Sequence, residues 1–163
     1  MDHPRCAGAV ADRDRGAARR VGSAVNHSAK APSQLRFAGY AALFDITDAG
    51  RDTIRHGAFA RTLAARTTPL PLFWQHRPDQ PIGVIEHVAE DARGLRVIAR
   101  IDQQHSRAAH LLRQGKVNGL SFGFRTRAAR QSPEGRELIE IDLFEVSLVT
   151  HPLHPMARVH LVT

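Results

Sequence analysis

Val117–Ala128 reads VNGLSFGFRTRA and contains a Gly-x-Ser-x-Gly centred on Ser121. In an α/β-hydrolase that pattern is the nucleophile elbow, a sharp turn leading from strand into helix. The residues after Ser121 do not read as helix. Phe122, Gly123, Phe124, Arg125, Thr126 and Arg127 continue as strand. The order Ser121, Asp142, His151 would suit the elbow fold, but alternating βαβ units are missing and 163 residues is short for it. An α/β-hydrolase-type esterase therefore stays a minor alternative, and the stretch predicts a β-strand carrying a serine.

Outward from that strand the pattern is mostly β. Downstream, SPEG (132–135) is a turn, and RELIEIDLFEVSLVT (136–150) is a long strand. Its alternation sets Leu138, Glu140, Asp142 and Phe144 on one face against Ile139, Ile141 and Leu143. HPLHPMARV (151–159) closes the chain. Upstream, SRAAHLLRQGK (106–116) predicts a helix ended by Gly115. GLRVIARID (94–102) alternates cleanly, with Leu95, Val97, Ala99 and Ile101 on one face. LPLFWQH (70–76) and PIGVIEHV (81–88) are apolar strands separated by a turn at RPDQ (77–80), where proline and aspartate favour reversal. Phe59 and Leu63 sit at helical spacing within GAFARTLAAR (57–66), DITDAGRDTIRHGAF (45–59) is a polar loop, and LRFAGYAALFD (35–45) is a strand. Six or seven strands and two short helices predict an α+β, mainly β fold: an antiparallel β-barrel or sandwich with helices packed outside.

Composition fits one domain with a tail. Residues 1–34 hold six Lys/Arg and three Asp, and valine is their largest recurrent apolar residue. Such a segment buries too little surface to offset its ordering entropy. It predicts a disordered basic tail, with a transient helix near DRDRGAARRV, ahead of a domain over 35–163. The single cysteine, Cys6, excludes a disulfide framework and fits a reducing compartment. No apolar run approaches the ~18 residues of a membrane span, and no signal peptide is expected. The formal charge of +7 is spread thinly, mostly over arginines. It permits non-specific contact with nucleic acid, although solvated surface charge explains it as well.

A serine hydroxyl attacks only when a base accepts its proton, and histidine is the usual base. His76 ends an apolar strand just before a turn, at a rim that a substrate can reach; a solvated turn histidine is the plainer alternative. A third group must orient such a histidine. Glu140, Asp142 and Glu145 are the candidates, and Glu145 stands inside the otherwise apolar LFEVSLV, where a carboxylate is costly unless paired. His105 and His110 are five residues apart, a poor spacing for one metal, and His151 and His154 flank prolines. With no HExxH and no Cys/His grouping, neither metal nor cofactor is expected.

GYAALFD (39–45), GRDTIRHGAF (50–59), PLFWQHRPDQPIGV (71–84), GLRVIARI (94–101), LLRQGKVNGLSFGFR (111–125) and DLFEVSLVTHPLHPMARV (142–159) lie in a stretch from about Phe37 to Val159 that spans about three quarters of the chain. In that order they resemble the prohead, or capsid maturation, serine proteases of HK97-like tailed phages, a group whose relatives include gene transfer agent proteins. The resemblance implies a fold like the herpesvirus assemblins, a β-barrel wrapped by helices. It implies an endopeptidase working inside an immature capsid in the bacterial cytoplasm. The expected targets are the scaffolding segment of the major capsid protein and the protease itself, in an oligomeric or capsid-associated state. The family's histidine falls on His76 and its serine on Ser121. An acidic residue in DLFEVSLV favours Glu145 as third member. His151 is the rival, because the herpesvirus relatives use a second histidine. Gly119 and Gly123 would let substrate backbone approach the strand, and Arg158 is a candidate to assist an oxyanion. A non-catalytic basic module inside the capsid, holding nucleic acid or scaffold, is the competing function.

Overall fold

The computed structural model of the chain describes residues 34–102 and 106–163. The expected tail and its transient helix, and His105, lie outside the described residues. The elements run β1 (Leu35–Leu43), β2 (Asp52–Ile54), α1 (Ala60–Ala64), β3 (Leu70–Trp74), β4 (Arg77–Glu90), β5 (Gly94–Ile101), α2 (Ser106–Arg113), β6 (Gly119–Ser132), β7 (Gly135–Val149) and β8 (Val159–Val162). One curled sheet takes the order β2-β7-β3-β4-β5-β1-β8, with β6 on the other side of β7. A single bridge, Gly119 to Arg158, joins β6 to the segment entering β8 and brings the two ends of the sheet together.

The core follows from the apolar faces. Phe37 of β1, Leu70 and Leu72 of β3, Leu95, Val97 and Ile101 of β5, and Leu120 of β6 are all nearly inaccessible. Phe59 at the start of α1 and Ala108, Ala109 and Leu112 of α2 are buried in the same cluster. Gly115 (φ +67°) ends α2: its N–H bonds the Leu112 carbonyl and the Lys116 N–H bonds that of Leu111. This is the left-handed C-terminal motif that glycine enters without a Cβ clash.

Four features depart from the sequence reading. The polar loop 45–59 holds the short strand β2, and β8 brings the strands to eight. The sheet is mixed: β2 and β3 both run parallel to β7, while the other strand pairs are antiparallel. The alternation of β7 slips at its start. Leu138 is buried with Ile141 and Leu143, and Ile139 is exposed, because the ladder with β6 shifts register between Thr126 and Ala129. A bulge inserts an unpaired residue and flips the phase beyond it.

The fourth departure concerns His76. RPDQ lies within β4, and the reversal falls at Gln75–His76, between the paired residues Trp74 and Arg77. Both loop residues are left-handed, with φ +53° and +59°. A two-residue hairpin needs this hand to match strand twist, and normally takes it from Asn or Gly. Gln75 and His76 hold it at a cost of about 1–2 kcal/mol each. Tethers to β7 hold the turn. The Gln75 N–H donates to the Leu148 carbonyl at 3.1 Å. The Gln75 side chain meets Thr150 through Nε2–H to Oγ1 at 3.2 Å and accepts the Thr150 N–H at 3.5 Å.

Candidate active site

The turn delivers the His76 ring to β7. Nδ1 lies 2.7 Å from Glu145 Oε1. A carboxylate only accepts, so Nδ1 donates its proton and Nε2 carries the free lone pair in the neutral ring. The His76 side chain is 44% exposed and that of Glu145 10%, so the ring bridges a buried anion and the surface. The second Glu145 oxygen is also satisfied: Ser147 Oγ donates to Oε2 at 2.6 Å. The same Ser147 oxygen accepts the His76 backbone N–H at 3.1 Å. Glu145 is thus a buried carboxylate with a partner on each oxygen, the condition under which burial is tolerated.

Ser121 sits one strand away, on β6. The ladder pairs Ser121 with Ser147 and Gly123 with Glu145. Residues directly opposite share a face, with Cβ atoms about 4.5–5.5 Å apart. Ser121, Glu145 and Ser147 therefore project together, and Ser121 is 9% exposed. Its hydroxyl makes no hydrogen bond to His76 among the described residues.

The two glycines have a structural reason that the sequence did not show. A Cβ on Gly123 would lie 2.7 Å from Glu145 Oε1, and one on Gly119 would lie 2.7 Å from both the Val149 carbonyl and Pro152 Cδ. Protein atoms crowd those spaces. Gly123 makes room for the Glu145 carboxylate. A Gly123→Ala chain is therefore expected to fold while pushing the carboxylate off the imidazole; the His76 ring-nitrogen shifts beside a melting curve check this.

The other candidates lie elsewhere. Asp142 is gripped by Arg61, Arg125 and Arg127. The hydrogen bond from Arg125 foremost, helped by those from Arg127 and Arg61, holds its carboxyl below the usual carboxylate range against desolvation. Glu140 pairs with Arg61. His151 is exposed, and its Nδ1 meets Thr150 Oγ1 at 3.0 Å. Arg158 donates to the Pro155 carbonyl and to Asn118 Oδ1, each at 2.6 Å. That leaves fewer guanidinium donors for an oxyanion, although its backbone adjoins Gly119. His110 bonds Gln114 on the exposed face of α2.

A mostly apolar recess adjoins the serine, lined by Ser121, Phe122, Ile46, Leu153 and His154, with room of about 30 Å³. Burial pushes the His154 imidazole below its ordinary value. Its Nδ1 accepts the Met156 N–H at 3.2 Å.

Sequence reasoning missed Ser147, Gln75 and Thr150. Ser147 alone left a trace, as a second polar residue two positions after Glu145 in an apolar run and so on the same face.

His76 on its tethered turn meets Glu145 of β7, and Ser121 lies on the neighbouring strand β6, all on one curled mixed sheet. The fold is shared with the bacteriophage T4 capsid assembly protease (TM-score 0.57, 14% identity, 70% of this chain and 80% of that one). It is shared equally with the Kaposi's sarcoma-associated herpesvirus protease bound to a hexapeptide phosphonate (TM-score 0.56, 14% identity, 80% of this chain and 65% of that one). The profile of the caudovirus prohead serine proteases matches residues 23–163, and the chain belongs to that family. It is 35% identical over 130 residues to the prohead protease of Enterobacteria phage HK97, covering 76% of this chain and 58% of that protein. The chain thus spans somewhat under three fifths of that relative's length.

Proposed function

We propose that the chain is a serine endopeptidase of capsid maturation in which Ser121 is the nucleophile, His76 the general base and acid, and Glu145 the group that orients and charges-balances His76. In the first step Nε2 of His76 takes the Ser121 proton as Oγ bonds to the scissile carbonyl carbon. The resulting imidazolium is stabilised by Glu145 through Nδ1–H. It then gives the proton to the leaving amine as the C–N bond breaks, leaving an acyl-enzyme. Water repeats the sequence, His76 taking its proton and returning it to Ser121 as the acid product leaves. The observation that carries this reading is the 2.7 Å contact between His76 Nδ1 and Glu145, on the strand paired with the one that bears Ser121.

The substrates are the scaffolding segment of the major capsid protein and the protease itself, whose catalytic domain spans 35–163 behind a basic tail over 1–34. The work takes place inside the immature capsid in the host cytoplasm, with the chain in an oligomeric or capsid-bound state and the net positive charge making non-specific contact with nucleic acid. The names of the relatives, a prohead protease and a capsid assembly protease, support this reading. Co-expression with the cognate capsid protein tests it. Mass spectrometry should show a capsid protein shortened at its scaffold end; a full-length one with properly folded protease present counts against the reading.

Two substitutions separate the rival third members. Glu145→Gln keeps the shape and removes the charge, and is expected to slow cleavage by roughly 10²–10⁴-fold. His151→Phe is expected to stay near the wild-type rate. Side-by-side rates decide: a silent Glu145→Gln with an inactive His151→Phe would mean a Ser-His-His site.

A further inference from the structure

We infer that Ser147 is a positioning residue of this site, whose hydroxyl fixes which nitrogen of His76 is free; this rests on the roles given above for His76 and Ser121. Ser147 is completely buried, between Val146 and Leu148. A hydroxyl there is unfavourable unless it is bonded, and this one is bonded twice. Its only proton goes to Glu145 Oε2 at 2.6 Å, since the carboxylate has none to give. Its lone pair accepts the His76 N–H at 3.1 Å. One oxygen therefore ties the orienting carboxylate to the backbone of the residue it orients.

Both ties act where the structure is otherwise loose. The terminal torsion of a glutamate is broad and roughly two-fold, so Oε1 stays on Nδ1 only while Oε2 is held. The His76 backbone is left-handed, a conformation the chain leaves when its tethers go. Without the hydroxyl, Oε2 and the His76 N–H both lose their partner. The Nδ1–H contact is then no longer enforced, and the neutral ring takes its other tautomer in part of the molecules. That tautomer carries its proton on Nε2, toward Ser121, and cannot accept another. The expected defect is in the chemical step and not in substrate binding.

The test uses the full chain labelled with ¹⁵N-histidine, whose ring nitrogen shifts report the tautomer. Wild-type His76, when neutral, should carry its proton on Nδ1. In Ser147→Ala the Nε2–H form should become visible, and kcat should fall about 10–100-fold with KM unchanged, the size of loss found when the group behind a metal-ligating histidine is removed. Val149→Ala, which trims buried volume from the same strand end, should lower Tm and leave the tautomer alone. Ser147→Ala with the wild-type tautomer and wild-type kcat overturns the inference. Should that variant not fold, the wild-type chain still decides. The His76 amide sits in a turn with Ser147 Oγ as its acceptor, and should exchange with solvent far more slowly than an open amide; exchange at the open rate overturns the inference. Continued cleavage by Ser121→Ala would instead overturn the catalytic roles, and that observation is separate from the ring-nitrogen signal, which needs no cleavage.

Discussion

Ser121→Ala abolishes processing of the capsid protein and self-processing, with a fall in kcat on the order of 10⁶. The fold survives, because the change removes one oxygen from a residue that makes no hydrogen bond to His76 among the described residues and whose ladder partner, Ser147, is satisfied by Glu145 and the His76 backbone. Ser121 is held by β6, paired with β7 from Gly119 to Ser132, so the backbone at this point does not depend on the side chain. Co-expression with the capsid protein, intact-mass measurement and a melting curve check the three parts together. Cleavage that continues in the variant removes Ser121 from the mechanism.

His76→Ala is as damaging as Ser121→Ala, and the double variant is no worse than either. The two side chains serve one step: the proton leaving Oγ is the proton arriving at Nε2. Losses from residues that act as a unit do not add. Alanine at 76 also leaves Glu145 Oε1 without its imidazole partner, so some stability is lost as well, and rates are best compared at a temperature well below each Tm. A double variant whose loss is the product of the single losses would mean that Ser121 and His76 act in different steps.

How much of this was legible in the sequence depends on how local each feature is. In β5, Leu95, Val97, Ala99 and Ile101 are buried as their alternation predicts, because that strand keeps one pleat throughout and period-two patterning is local. In β7 the same reasoning inverted Leu138 and Ile139, since a bulge is set by the partner strand β6 and has no signature in the residues of β7 alone. The hairpin of His76 was read two residues too late for a similar reason. Pro78 and Asp79 carry ordinary turn chemistry, whereas Gln75 and His76 adopt the left-handed conformation without glycine or asparagine, held there by Leu148, Ser147 and Thr150 from a distant strand. The parallel pairing of β3 with β7 joins residues 74 positions apart, as in Leu72 with Val146, beyond any periodicity.

The candidate site divides along the same line. Glu145 was recognisable because a carboxylate inside LFEVSLV must find a partner. That His76 among ten histidines would supply it followed only from the family resemblance and not from local pattern, since the contact spans 69 positions. The Gly-x-Ser-x-Gly was visible and its meaning was not. Gly119 and Gly123 are small because Val149, Pro152 and Glu145 press against them, a fact of packing that resembles an elbow motif only in spelling.

Whether Ser121 is a nucleophile activated by His76 is decided by a fluorophosphonate probe on the purified chain, with the adduct mapped by peptide mass spectrometry. A single adduct on Ser121 is expected, absent from Ser121→Ala and strongly slowed in His76→Ala. An adduct on another serine, or equal labelling of Ser121 with and without His76, would contradict this assignment.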